Sequence, residues 1–155
     1  MILTLGDYSI HRELCRRVKT GDPGPVREAA LALATLDLPS DGVLIPVPSH
    51  LGHATDTLLL CCELSSLCGL PVLDALRGER RESLYLLKSA GLPLPPAESL
   101  GLRLTQPLPE GLRPILVDNV VGTGLTMKAA LAAVPGGIPC TLAVDYSRCT
   151  LCTAP

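Results

Sequence analysis

The sequence predicts an α/β domain built on a parallel, doubly wound sheet. Two apolar runs, residues 43–48 and 115–117, each lead through a short polar loop into a stretch of helix formers. A third apolar run, residues 138–144, follows the second of these helices after Pro135-Gly136-Gly137. None of the three alternates apolar with polar residues, which is the pattern of strands covered on both faces. At 155 residues the chain suits one domain with a sizeable core, with no internal repeat and no second domain.

Taken in order, residues 2–5 read as a short strand, and residues 8–19 mix apolar with basic side chains. Gly21-Asp22-Pro23-Gly24-Pro25 is turn punctuation, with Asp22 a candidate N-cap and a proline in the first turn that follows. Ala29, Ala30, Leu33 and Leu36 then recur at helical spacing, so an amphipathic helix is expected over 26–36. Val43-Leu44-Ile45-Pro46-Val47-Pro48 is the second buried strand, and 57–68 is a helix dense in Leu and Cys. Pro71-Val72-Leu73-Asp74 begins a third strand. Residues 77–110 are long for a connection in a compact domain, and such stretches often serve as lids.

Composition excludes several classes. Thirteen Lys and Arg against fifteen Asp and Glu leave no basic nucleic-acid surface. Phe and Trp are absent and Tyr numbers three, which argues against stacking platforms for single strands and leaves the core to Leu, Val, Ile and Ala. No apolar run reaches bilayer length, and the N-terminal residues lack the pattern of a signal peptide. A cytoplasmic protein is expected, with its seven cysteines as free thiols.

The chemistry is concentrated in Arg113-Pro114-Ile115-Leu116-Val117-Asp118-Asn119-Val120-Val121-Gly122-Thr123-Gly124-Leu125-Thr126. It reads as strand, short acidic loop, glycine-rich turn, helix. Helix amides preceded by glycines form a nest of donors at the positive end of the dipole, which suits a phosphate. Gly122 and Gly124 allow close approach, Thr123 and Thr126 add hydroxyls, and Asp118 can accept from sugar hydroxyls. A sugar 5-phosphate satisfies both halves at once.

The run 115–126 resembles the phosphoribosyl-pyrophosphate (PRPP) loop of type I phosphoribosyltransferases: apolar strand, two acidic residues, two apolar residues, then x-Thr-Gly-x-Thr. The resemblance implies that Asp118 and Asn119 face the ribose and carry catalysis, while Gly122, Thr123, Gly124, Leu125 (through its backbone) and Thr126 hold the 5-phosphate. Asn119 departs from the family's second acid and brings no charge to favour the positive ribose of the transition state. The strand ending Ile45-Pro46-Val47-Pro48 is most similar to the competence-protein-F-like branch, where a Val-Pro-Val-Pro type strand precedes the loop. There the following loop holds pyrophosphate, which implies Ser49, His50, Gly52 and His53 as donors. That branch carries basic residues in this loop, whereas the present chain offers histidines. His50 and His53 also have the spacing of a metal pair, although no third ligand is evident nearby.

The resemblance further implies a reduced hood formed by residues 1–20, where His11, Arg16 and Arg17 are candidates to face a ligand. It implies a mobile lid over 77–110 with Arg80, Arg81 and Lys88 as its basic residues, Mg²⁺ accompanying PRPP, and pairing into a homodimer. Cys61, Cys62 and Cys68 read as small core residues. The tail, 146–155, holds Cys149 and Cys152, a single Cys-x-x-Cys that signals zinc or redox chemistry only weakly, with Cys140 as a possible additional thiol. The expected function is transfer of ribose 5-phosphate between PRPP and a nitrogenous base, with pyrophosphate as leaving group. The alternative is a protein that binds PRPP or a nucleoside 5-monophosphate as a regulator and has lost turnover.

Overall fold

The computed structural model describes residues 1–152; the last three residues of the predicted cysteine-containing tail lie outside it. Its elements run β1 (Leu3–Thr4), α1 (Tyr8–Val18), α2 (Pro23–Leu33), β2 (Gly42–Pro46), α3 (Asp56–Cys68), β3 (Leu76–Arg77), α4 (Leu84–Ser89), a 3₁₀ turn (Ala97–Leu100), β4 (Arg103–Leu104), β5 (Arg113–Val121), α5 (Leu125–Ala133) and β6 (Ile138–Val144). Four strands form a parallel sheet in the order β1-β6-β5-β2. β3 and β4 pair antiparallel beside it.

The sheet is covered on both faces. α1, α2 and α3 bury Cys15, Val18, Ala30, Leu33, Leu60 and Leu64 against Leu44, Ile115, Val117 and Leu142. On the opposite face α5 sets Met127, Ala130 and Val134 against Ile45, Leu116 and Val144, with Leu76 of β3 alongside. This two-sided burial is why the strands read as unbroken apolar runs. With each fully buried Leu, Ile or Val contributing about 1.5–3 kcal/mol, these two layers are the main source of stability. Among the described residues no helix is long and apolar enough to cross a membrane.

Several boundaries move from their expected places. The acidic pair does not form a loop: β5 continues through Asp118 and Asn119 to Val121, because β6 supplies ladder partners as far as Val144. The third strand shrinks to one bridge, Val72 to Leu44, flanked by bonds from Leu44 N–H to Pro71 O and from Leu73 N–H to Leu44 O. α2 starts three residues earlier than the periodicity suggests, since Pro23 occupies its first turn. Asp22 precedes it as predicted, but its carboxylate accepts from Thr20 Oγ1 at 2.9 Å rather than capping the helix. Of the three α3 cysteines only Cys61 is buried; Cys62 and Cys68 are exposed, so they are not core residues.

Residues 1–20 contribute an edge strand paired with β6 and a helix packed on the sheet. Residues 77–110 carry α4, the 3₁₀ turn and β4 rather than unbroken coil.

Candidate functional site

β2 and β5 are neighbours in the sheet, with Pro46 opposite Val117. The helix that follows β2 packs on one face, and the helix that follows β5 packs on the other. The two connections therefore diverge, and a crevice opens between them beyond the carboxyl ends of the strands. Two adjoining hollows of about 220 and 420 Å³ occupy this crevice. They share Lys19, Leu84, Tyr85, Asp118, Val120 and Thr126, so the site is one continuous cleft.

The smaller hollow is walled by the turn from Gly122 to Thr126, with Tyr8, Tyr85, Lys88, Asp145 and Arg148 around it. Gly124, at φ +86°, is the N-cap of α5 in a left-handed conformation that a side chain would strain. The first turn of the nine-residue α5 then faces the hollow through Leu125, Thr126 and Met127. Thr123 Oγ1 accepts from the Leu125 N–H at 3.4 Å, which holds the turn against the helix start. Dipole, hydroxyls and glycines converge there as an anion site requires.

The larger hollow is walled by residues 47–51 and 55–57, together with Arg81. Thr57, buried, donates to Val47 O at 2.8 Å and pins α3 to the end of β2. The loop between closes on itself: Ser49 N–H donates to His53 O, Gly52 N–H to Ser49 O, and Leu51 N–H to Ser49 Oγ. It is also tied to the segment after β3, through Gly78 N–H to Gly52 O at 2.9 Å and Arg81 N–H to His50 O at 2.9 Å.

Asp118 sits where the hollows meet. The residue is half-buried, and its Oδ1 accepts from the Asn119 N–H at 2.7 Å. Burial first, and the charge of Asp56 second, push its carboxyl up to about 7, against the opposing pull of the Asn119 and Val120 amides and of Lys19. A titratable group moved to neutrality in a cleft marks a functional-site candidate. Arg81 is half-buried, and its guanidinium reaches Thr126 Oγ1 at 3.5 Å. Burial lowers its pKa, and the charge of Asp118 opposes that shift.

The cleft gathers Asp118, the whole 122–126 turn, Ser49, His50, Arg81 and Lys88. Other expected residues lie elsewhere or point elsewhere. Asn119 is 2% exposed; its Nδ2 donates to Cys15 O at 2.8 Å, and its buried Oδ1 has no partner among the described residues. Asn119 still borders the larger hollow, but its Nδ2 is tied to α1. Gly52 is buried against Gly78, and its N–H is spent on Ser49 O, so it offers no pyrophosphate donor. His53 and Arg80 are exposed and line neither hollow. His11, Arg16 and Arg17 do not line it either, and Arg17 pairs with Glu28 at 3.1 Å.

Lys19, Asp56, Tyr8 and Tyr85 are site residues that motif reading missed. Lys19 ends the basic run at 8–19, the one signal that could have marked it. Among the described residues no three His, Cys, Asp or Glu side chains gather as a metal cage. Cys140 and Cys149 belong to the cores on opposite faces of the sheet, so Cys140 does not join the Cys-x-x-Cys. Compared with known proteins, the chain matches no family model and no curated sequence.

Proposed function

We propose that this chain is a phosphoribosyltransferase-type domain that binds the ribose 5-phosphate moiety of PRPP or of a nucleoside 5-monophosphate in the cleft beyond β2 and β5. The observation that carries the reading is the convergence of the Gly-Thr-Gly-x-Thr turn, Asp118 and the loop after β2 on one crevice. The 5-phosphate takes the 122–126 turn, and Asp118 accepts from the ribose hydroxyls. Ser49 and His50 flank the pyrophosphate position, with Arg81, Lys19 and Lys88 supplying positive charge. Transfer of the ribose 5-phosphate to or from a nitrogenous base then relies on positioning and electrostatics rather than on a covalent protein nucleophile.

Mg²⁺ fits this donor set. It is commonly held by one or two carboxylates together with substrate phosphates, and the larger hollow brings Asp56 and Asp118 into electrostatic contact. When bound, the ion neutralises pyrophosphate charge.

A second reading, a PRPP- or nucleotide-binding regulator without turnover, is favoured by Asn119. With that side chain buried and tied to Cys15, the ribose position has one carboxylate in place of two.

The test is calorimetric titration of PRPP with Mg²⁺ into the wild type and into Asp118→Ala at pH 8. Micromolar-range binding is expected, weakened at least tenfold, about 1.4 kcal/mol, by the substitution. Pyrophosphate release with a panel of nucleobases then separates enzyme from regulator. A wild type that binds neither PRPP nor a nucleoside 5-monophosphate overturns both readings.

A further inference from the structure

The tail after β6 is built onto the phosphate turn. Thr150 donates to Thr123 O through both its N–H and its Oγ1, each at 3.1 Å. Leu151 and Cys149 close over Gly124: a methyl placed on that glycine would meet Leu151 Cγ at 3.1 Å and Cys149 Sγ at 3.5 Å. The same turn of chain brings the Cys152 thiol to 3.4 Å from Cys149 Sγ. Cys149 is 2% exposed, and Cys152 is exposed. Four consecutive residues thus combine a preassembled dithiol with the backbone and apolar contacts that brace Thr123 and Gly124. Cysteines at the first and fourth positions of a turn fall within the Cα separation a disulfide tolerates.

We propose that Cys149 and Cys152 are a redox-active dithiol whose closure to an intramolecular disulfide resets the 122–126 turn. The thiol chemistry stands on its own; only its consequence for phosphate binding rests on the function proposed above.

The oxidant is a low-molecular-weight disulfide, reacting by exchange. The accessible Cys152 thiolate attacks one of its sulfurs, forming a mixed disulfide and expelling one small thiolate. Cys149 Sγ, already adjacent, then attacks Cys152 Sγ and expels the second. Two thiol protons are released, one S–S bond replaces another, and two electrons pass to the small disulfide. Forming the bond requires the sulfurs to draw together from 3.4 Å to about 2.05 Å. That movement is transmitted to Thr150 and Leu151, which lie between the two cysteines and carry the contacts to Thr123 and Gly124.

Although Cys152 is exposed as a residue, partial burial of its sulfur, followed by its hydrogen bond and charge contact with Cys149, pushes its thiol up to about 11. Exchange is therefore slow at neutral pH and accelerates as pH rises towards that value, since the thiolate is the attacking species.

The experiment equilibrates the full chain in buffers of graded glutathione disulfide to glutathione ratio. The mixture is quenched with an alkylating agent and cleaved after Arg148, which leaves both cysteines on one peptide. Amide exchange over 122–126 is measured on the same samples. Expected are an unalkylated 149/152 peptide that accumulates along a two-electron curve, and exchange at 122–126 that shifts by roughly tenfold between reduced and oxidised protein. Cys152→Ser, a conservative change at an exposed site, abolishes both. A stable glutathione adduct at Cys152 without ring closure overturns the proposal, as does ring closure with unchanged exchange at 122–126. The exchange readout needs no ligand, so a failure to bind PRPP leaves this result intact and counts only against the proposed function.

Discussion

Arg81 Nη2 and Thr126 Oγ1 approach to 3.5 Å across 45 residues of sequence, joining the segment after β3 to the first turn of α5. The bond is long for a hydrogen bond and weak by itself. Its importance is positional: the Arg81 backbone is held by His50 O, so one residue touches both loops that border the cleft.

Arg81→Ala is expected to weaken Mg²⁺–PRPP binding by about tenfold, in the range found for losing one charge-assisted contact. Arg80→Ala, at an exposed position outside the cleft, should leave it within twofold, which is about 0.4 kcal/mol. Calorimetric titration of the two variants side by side checks this. Equal losses would show that bulk charge, not the position of Arg81, is what matters.

Asp118 makes a pH prediction whose sign is definite. Its folded-state value of about 7 lies above the ordinary 3.8, so the native state holds this proton more tightly than the unfolded chain. The stability it contributes is fully present below about pH 4 and is lost as pH rises through 7. Urea midpoints for the wild type should therefore fall, relative to Asp118→Asn, between pH 4 and pH 7.5. Parallel curves would show that the carboxyl titrates normally.

Asn119 is expected to be structural. Asn119→Ala removes the donor to Cys15 O and should destabilise the fold by about 1–3 kcal/mol. Asn119→Asp, which would give the sequence a second acid after Asp118, buries a charge beside Asp118 and should destabilise more, without improving PRPP affinity. Denaturant unfolding and calorimetry on both variants decide the point; tighter binding by Asn119→Asp would place that side chain at the ribose after all.

Gly52 and Gly69 separate backbone strain from collision. Both have positive φ, +87° and +74°. A Cβ on Gly52 would lie 2.5 Å from Gly78 O, whereas one on Gly69 meets nothing within 4 Å. Gly69→Ala should cost about 1 kcal/mol from conformation alone. Gly52→Ala should cost more and detach the 49–53 loop from Gly78. Thermal unfolding distinguishes them, and equal shifts would mean that the loop yields freely.

The apolar runs at 43–48, 115–117 and 138–144, and the helices that follow the first two, were legible because two-sided burial and 3.6-residue periodicity leave a local imprint on sequence. The turn from Gly122 to Thr126 was legible for a similar reason. A glycine at positive φ beside threonines at a helix start is a local geometry set by neighbouring residues. Asp118 was found by its distance from that turn. Lys19, Asp56 and Tyr85 carry no such imprint, since only packing brings α1, α3 and α4 to the same crevice.

The sequence by itself determined the α/β class, the strand–turn–helix unit at 113–133 and the position of Asp118 along it, since these follow from interactions between residues close in the chain. Tertiary structure decided which neighbours share the cleft. It turned Asn119 towards Cys15, closed the 49–53 loop onto Gly78, chose Arg81 over Arg80, and set the Cys149–Cys152 pair against Gly124. Each of these is a contact between segments far apart in sequence, and its geometry depends on how the two faces of the sheet are filled.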